Sequence, residues 1–415
     1  MRDARSCERR VCGLLDFRGE PSGDSVAGTV VPRPSSEGIV QRMDAFAVGL
    51  AAASDDKSGA GTQDVRMGTK MVGDGHPALI VAELSANHNH DLDLALRTID
   101  AVANSGADAV KLQTYTPDTI TFRGDSEVFR VNTGSTWDGR SLHDLYSEAY
   151  TPWEWHERLF ERAHENGLLC FSSPFDPSAV EFLENLNAPV YKVASFEITD
   201  IPLIRLMAQT GKPVIISTGV ATAADITLAI EACRKVGNSQ IVVLQCTSSY
   251  PANVSDANLR TMVDMRARFG VLVGLSDHTT DHVTAAAATA LGACFIEKHV
   301  ILDRGLGGTD SGFSLEPAEL AEMVRLVRET ESALGRVTYD LSPTAVTSRR
   351  FARSLFVVED VLPGESVNLR NVRSIRPGDG LPPVDLPSIV GQTFAVAVTA
   401  GTPLAWAMLE DHETN

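Results

Sequence analysis

The chain has 415 residues, 43% hydrophobic and 22% charged, an ordinary globular composition with room for one barrel-sized domain and a smaller companion. Its 36 Lys and Arg against 54 Asp and Glu give a formal charge of −18, which argues against a general affinity for nucleic acid or anionic lipid but leaves room for a local basic pocket. No apolar run reaches transmembrane length, no signal-peptide pattern opens the chain, and the six cysteines (7, 12, 170, 233, 246, 294) show no CxxC spacing, so a reducing cytoplasm is the expected setting.

Residues 1–75 are rich in Gly, Ser, Ala and charge and show no sustained period. They are expected to form a disordered extension, with Ser54–Gly75 as a tail or linker and no catalytic role. A regular alternation begins at Ala78. Short apolar runs at 78–84, 108–113, 168–172, 189–194, 213–217, 241–246, 271–275 and 293–298 predict strands. Amphipathic patterns between them, such as Leu92–Asn104, Pro152–Asn166, Ser178–Leu186, Ala223–Val236, Ser255–Phe269 and Thr280–Leu291, predict helices.

Eight such strands predict an α/β fold, a (β/α)8 TIM barrel over residues 76–335. A doubly wound open sheet is the alternative, but no Gly-rich phosphate turn follows the first strand. The connection from Tyr115 to Tyr150 is the longest and is expected to act as a lid or binding loop. Glu316–Leu334 reads as the last barrel helix and 336–350 as a linker. Residues 351–415 predict a small β-rich domain, with strands at Leu355–Val358, Val372–Ile375, Ala395–Val398 and Pro403–Met408 and Pro-Gly turns at 363–364 and 377–378. So small a domain has a thin core and should dock against something larger.

The run from Gly292 to His299 shows the recurring pattern: an apolar strand that breaks at its carboxyl end into Glu297, Lys298 and His299. The other strands end in Glu83, Asn87 and His88; Lys111 and Gln113; Ser172 and Ser173; Lys192, Ser195 and Glu197; Ser217 and Thr218; Gln245, Thr247, Ser248 and Tyr250; and Ser276, Asp277 and His278. In a (β/α)8 barrel these groups meet at one mouth, where that fold places active sites. Lys111, Lys192 and Lys298, with the hydroxyls of Ser173, Ser195, Ser217 and Ser276, suit a phosphate and a carboxylate. One of these lysines is expected to be tied up in an ion pair with Glu83, Glu197 or Glu297, but not all three. His278 and His299 fit a divalent metal or an acid/base pair equally well. Glu83, Glu197, Asp277 and Asp310 are the candidate bases.

Several of these stretches together resemble the sialic acid synthase family: Glu83-Leu-Ser-Ala-Asn-His88, Lys111-Leu-Gln-Thr-Tyr-Thr-Pro-Asp118, Phe171-Ser-Ser-Pro-Phe175, Tyr191-Lys-Val-Ala-Ser-Phe-Glu197, Cys246-Thr-Ser-Ser-Tyr-Pro251, Gly274-Leu-Ser-Asp-His278 and Glu297-Lys-His299. The resemblance runs from about Ala78 to near the C-terminus. It implies a TIM barrel followed by an antifreeze-like (SAF) domain, and a condensation of phosphoenolpyruvate with an N-acetylated sugar aldehyde. It also implies a domain-swapped homodimer in which Arg353 reaches the partner's barrel. Ala194-Ser-Phe-Glu197, Thr151-Pro-Trp-Glu-Trp-His156 and Asp310-Ser-Gly-Phe-Ser-Leu315 resemble the branch that makes pseudaminic acid from 2,4-diacetamido-2,4,6-trideoxy-L-altrose, where a bulky Phe196 near the sugar would suit a methyl group. His90 stands where that family more usually has glycine.

By the same resemblance His278 and His299 hold Mn2+ or Mg2+. Lys192, Ser173, Ser195, Ser217, Ser248 and Ser276 hold phosphoenolpyruvate with Lys111 nearby, and Gln113, Tyr250, Asp310 and Arg353 orient the sugar. Glu83 stabilises cationic character and Glu197 handles the proton of the attacking water. Lys192 and Asp310 join these two carboxylates as the catalytic candidates. Within the resemblance the alternative is an N-acetylneuraminate or legionaminate synthase; outside it the competing readings are a barrel aldolase or another phosphoenolpyruvate-condensing synthase, neither of which needs the C-terminal domain, and a glycan-binding SAF protein, which leaves eight loaded strand ends unexplained.

Overall fold

The computed structural model describes residues 63–132 and 138–410. The expectations for residues 1–62, including Cys7, Cys12 and a short helix over Gly49–Ala53, lie outside the described residues. Eight parallel strands form a closed barrel: β3 (Leu79–Glu83), β4 (Ala109–Thr114), β5 (Leu169–Pro174), β6 (Tyr191–Val193), β7 (Val214–Ser217), β8 (Ile241–Cys246), β9 (Leu272–Asp277) and β10 (Phe295–His299), with β10 closing onto β3. Each apolar run read from the sequence is one of these strands. Every residue of the eight strands is buried except the half-buried Gln113 near the end of β4, as expected of parallel strands covered by helices outside and side chains inside.

Strand side chains alternate, so Leu79, Val81, Phe171, Ile215, Val242, Leu244 and Phe295 fill the barrel. Ile80, Ala82, Val110, Ile216, Val243 and Ile296 instead pack outward against the helices. The helix Leu92–Asn104 shows how sequence sets the outer ring. The Asp91 side chain accepts from the N–H groups of Asp93 and Leu94, and a stripe of Leu94, Ala95, Ile99 and Val102 faces the strands. Two helices of eight residues or more were not named in the sequence reading. Ile201–Gln209, capped by Asp200, joins β6 to β7, and Leu142–Ala149, capped by Ser141, lies inside the long connection after β4.

The expected disorder is corrected over residues 65–72. Val65–Met67 (β1) and Lys70–Val72 (β2) form an antiparallel hairpin. Its Val65, Met67 and Val72 join the interior cluster with Leu79, Leu169 and Phe295, the residues that open their strands, so the hairpin plugs the barrel end opposite the mouth. Gly68 turns it at φ +57, a left-handed conformation that favours glycine, and a Cβ there would stand 2.6 Å from Leu169 Cδ1.

The C-terminal domain is built on β11 (Ser354–Val357) and β12 (Val372–Ile375), paired antiparallel with Ser354 opposite Ile375. The two later strands read from the sequence reduce to single bridges, Val361 to Val398, Phe356 to Pro403 and Phe394 to Leu409, and a turn at Trp406–Met408. Leu355, Val357, Val372, Ile389, Phe394 and Leu404 form its small core. Leu362, Leu369, Val384 and Trp406 are left half or more exposed. Cys170, Cys233, Cys246 and Cys294 are free and buried, and no helix among the described residues is long and apolar enough to cross a membrane.

Candidate active site

The strand ends do converge, and side-chain alternation decides which groups face inward. On β10, Glu297 and His299 point into the mouth while Lys298 points away. Its Nζ lies 2.6 Å from Asp277 Oδ2, 3.1 Å from Thr279 Oγ1 and 2.9 Å from the Asp281 carbonyl. Asp277 also accepts from Thr279 and Thr284, so it is a structural anchor. Lys298 as an anion binder and Asp277 as a base are therefore corrected: both sit on the outward parity of their strands. Other strand-end groups are structural too. Asn87 donates to the Val300 carbonyl and Ser314 Oγ, Ser172 meets Thr114, and Gln245 donates to the Ala257 carbonyl. His88 faces Thr151 Oγ1, and burial pushes its pKa down to about 4.

The inward groups form one continuous network. Glu83 Oε2 lies 2.9 Å from Lys111 Nζ and 3.2 Å from His299 Nε2, and Gln113 Nε2 donates to Glu83 Oε1 at 2.8 Å. Lys111 also pairs with Glu297 Oε1 at 2.9 Å. The same oxygen takes Lys192 Nζ at 3.3 Å and Ser276 Oγ at 3.0 Å. All three mouth lysines of the sequence reading are thus paired, where one was expected. Glu297, expected only as an ion-pair partner and given no role in catalysis or binding, is the hub. Its position two residues before His299 on one strand is the signal that could have found it.

The electrostatics follow from burial and neighbours. Burial alone would raise Glu83, but Lys111, His299 and Lys192 outweigh it and hold the carboxyl well below the usual range. Burial works against the Lys111 charge, yet Glu297 and Glu83 overcome it and hold the ammonium above its ordinary value. Lys192 goes the other way: burial lowers it, and Glu297 only partly restores it. Glu197, at the end of the turn after β6, is pushed up to about 7 by burial, with Lys192 opposing weakly. Two carboxylates at one mouth, Glu83 buried and Glu197 half-buried, are therefore driven apart, one fixed as an anion and one able to exchange a proton near neutrality.

Several inward groups have unused hydrogen-bonding capacity. Ser173 Oγ, Ser217 Oγ, Glu197 Oε2, Glu297 Oε2 and His299 Nδ1 are buried and have no hydrogen-bond partner, an arrangement that awaits a ligand. Beside them Ser195 Oγ accepts from the Gly219 N–H at 3.2 Å. A Cβ at Gly219 would stand 2.1 Å from Ser248 Oγ and 2.9 Å from Ser195 Oγ, so only glycine keeps this hydroxyl cradle open.

The two imidazoles lie side by side, ring centroids 5.2 Å apart, walled by Phe313 and Tyr250. His278 Nδ1 donates to the Thr247 carbonyl at 3.0 Å, which leaves the lone pair on Nε2. His299 turns Nε2 to Glu83 and leaves the buried Nδ1 unpartnered, 3.7 Å from Asp310 Oδ2. Each ring thus has one committed nitrogen and one available, the tautomer control found in metal-binding histidines. No group of three or more His, Cys, Asp or Glu forms a cage among the described residues. The set fits an open two-histidine site, with positions left for water and substrate, rather than a closed structural one.

Asp310 is held by Ser85, and Tyr250 packs 4.5 Å from the His278 ring. Two candidates lie elsewhere. Arg353 is exposed in the C-terminal domain and donates to the Ser374 carbonyl. Phe196 is 62% exposed and does not line the mouth cavity of about 670 Å3, so its bulk gives no structural argument for a methyl-bearing sugar.

Fold and mouth define a (β/α)8-barrel enzyme whose site joins a buried lysine and hydroxyl pocket to a pair of imidazoles. Residues 98–339 match the model of the NeuB family, and residues 352–410 match the SAF domain. Pseudaminic acid synthase of Helicobacter pylori is 46% identical over 330 residues, 79% of this chain and 97% of that protein. N,N'-diacetyllegionaminic acid synthase of Legionella pneumophila is 33% identical over 348 residues, covering 83% and 98% of the two chains. The crystal structure of N-acetylneuraminic acid (sialic acid) synthetase from Leptospira borgpetersenii superposes with a TM-score of 0.62 at 31% identity, covering 69% of this chain and 95% of that one. The chain belongs to the NeuB family, the sialic acid synthases, and carries that family's barrel followed by a SAF domain.

Proposed function

We propose that this synthase condenses phosphoenolpyruvate with 2,4-diacetamido-2,4,6-trideoxy-L-altrose to give pseudaminic acid and inorganic phosphate. The broader class is a carbon–carbon bond-forming transferase that joins phosphoenolpyruvate to a sugar, yielding a nonulosonic acid. The observation that carries the choice of sugar is the higher identity to pseudaminic acid synthase than to the legionaminic enzyme.

In this reading Lys192, Ser173, Ser195, Ser217, Ser248 and Ser276 hold the phosphate and carboxylate of phosphoenolpyruvate. The unpartnered hydroxyls and the glycine cradle support that assignment. C3 of phosphoenolpyruvate attacks the aldehyde carbon of the open sugar. Water then adds at C2, and phosphate leaves by cleavage of the C–O bond. Glu83, kept ionised by Lys111, stabilises positive charge developing at C2, while Glu197 takes the proton of the incoming water. Gln113, Tyr250 and Asp310 orient the sugar.

Lys111, Lys192, Glu83 and Glu297 sum to no net charge, so burying a phosphorylated carboxylate beside them demands further positive charge. His278 and His299 would hold a divalent metal, Mn2+ or Mg2+, which supplies charge and Lewis acidity toward the aldehyde oxygen. Arg353 would supply more, from the SAF domain of a second copy in a domain-swapped homodimer. The apolar residues left exposed on that domain support the docking.

The test is turnover of phosphoenolpyruvate with the altrose sugar, its legionaminic-pathway counterpart and N-acetylmannosamine offered in parallel. The altrose sugar should be used best. Preference for N-acetylmannosamine would overturn the choice of sugar but leave the condensation standing.

A further inference from the structure

Tyr250 and Phe313, which pack against the two imidazoles, also line the mouth cavity, and the same cavity is lined by His90, Arg140 and Glu148. None of these three had a role in the sequence reading. Arg140 and Glu148 form an ion pair, Nη2 to Oε1 2.6 Å, with both side chains partly exposed to the cavity. Backbone ties fix the arginine: the Val131 N–H donates to the Arg140 carbonyl at 2.9 Å, and Arg130 bridges to Ser141. Glu148 rides on the helix Leu142–Ala149.

His90 locks that helix over the mouth. Its φ is +52, a left-handed conformation that is strained for a non-glycine side chain and persists only where surrounding contacts impose it. Those contacts are present. His90 Nε2 lies 3.1 Å from the Ser147 carbonyl, one residue before Glu148, and the ring packs edge-on against His88, Tyr150 and Trp155. The strain at His90 thus coincides with the fastening of the helix that carries one half of the ion pair.

We propose that Arg140 and Glu148, positioned by His90, form a specificity subsite for an amide group on the sugar, remote from its aldehyde. The chemistry matches. A secondary amide presents a carbonyl acceptor and an N–H donor, and the ion pair offers a guanidinium donor beside a carboxylate acceptor. With the aldehyde at the imidazoles, the C2 substituent stays near the inner wall and the C4 substituent extends outward. The pair therefore reads the C4 acetamido group of a 2,4-diacetamido sugar, where N-acetylmannosamine has a hydroxyl. This inference rests on the diacetamido sugar proposed above.

The experiment compares kcat/KM for the altrose sugar and for N-acetylmannosamine in the full-length protein and in Arg140→Met, Glu148→Gln and His90→Gly. The first two variants should lower the preference for the diacetamido sugar about tenfold, through KM for that sugar, because a charge-assisted hydrogen-bond partner of the amide is lost. KM for phosphoenolpyruvate should stay unchanged, which shows the mouth is intact. His90→Gly relieves the strained φ, so it should shift the same preference without lowering Tm. A purely structural His90 would lower Tm and leave the preference alone. An unchanged preference in both Arg140→Met and Glu148→Gln, with the parent protein favouring the altrose sugar, overturns the subsite alone. A parent protein that favours N-acetylmannosamine overturns both the sugar assignment and the subsite.

Discussion

Glu83 and Lys111 face each other in register on adjacent strands of the barrel, Oε2 2.9 Å from Nζ, both buried. The same carboxylate touches His299 and Gln113, so one side chain joins the lysine pocket to the imidazole pair. Glu83→Gln keeps the shape and removes the charge. The expected outcome is a fall in kcat of about 100-fold or more, the size seen when a preorganised electrostatic group is lost, with little change in either KM. Steady-state kinetics checks it, and equal turnover removes Glu83 from the mechanism.

Glu197 should govern the acid limb of the pH profile. Burial raises its pKa to about 7, so its carboxylate is protonated, and its base function lost, as pH falls through neutrality. The limb near pH 7 should vanish in Glu197→Gln. The stability effect has a definite sign as well. A carboxyl whose folded pKa is raised binds more protons folded than unfolded, so stability falls as pH rises from about 4.5 to about 7. Glu197→Gln should flatten that part of the Tm-versus-pH curve.

Lys192 and Lys298 look alike in sequence and should behave differently. Lys192→Met removes an inward cation and should raise KM for phosphoenolpyruvate. Lys298→Met leaves Asp277 buried without its ammonium and should cost about 3–5 kcal/mol of stability while leaving KM for phosphoenolpyruvate unaltered in the folded fraction. Urea unfolding and kinetics on the two variants separate the roles.

A domain-swapped dimer makes a distinctive prediction for mixed protein. Glu83→Gln spoils a barrel and Arg353→Ala spoils a SAF domain, so each homodimer is impaired. A heterodimer of the two pairs one sound barrel with one sound SAF domain. Random reassortment of equal amounts should restore about a quarter of the parent activity. Purely additive residual activity would place Arg353 in its own chain's site or in none.

The barrel was legible because each parallel strand reads as an apolar run that stops in polar residues. The run 293–298 ending at His299 is the clearest example. Strand-end position alone does not say which side chains face the mouth. Glu297, Lys298 and His299 are consecutive, but the pleat sends the middle one to Asp277 outside the barrel, and the lost parity hid Glu297 as the hub. The hairpin at 65–72 escaped because strands of three residues are too short to display a period among glycines and charges. Phe196 failed for a different reason: a turn after β6 sets its direction, and no repeat in the sequence encodes that.

The most direct test of the whole account is inorganic phosphate release from phosphoenolpyruvate by the metal-replete, full-length protein, with and without the altrose sugar and after chelation. The account predicts release that requires the sugar, matches nonulosonic acid formation mole for mole, stops on metal removal and returns with Mn2+. Release without sugar, or none with any of the three sugars, would contradict it.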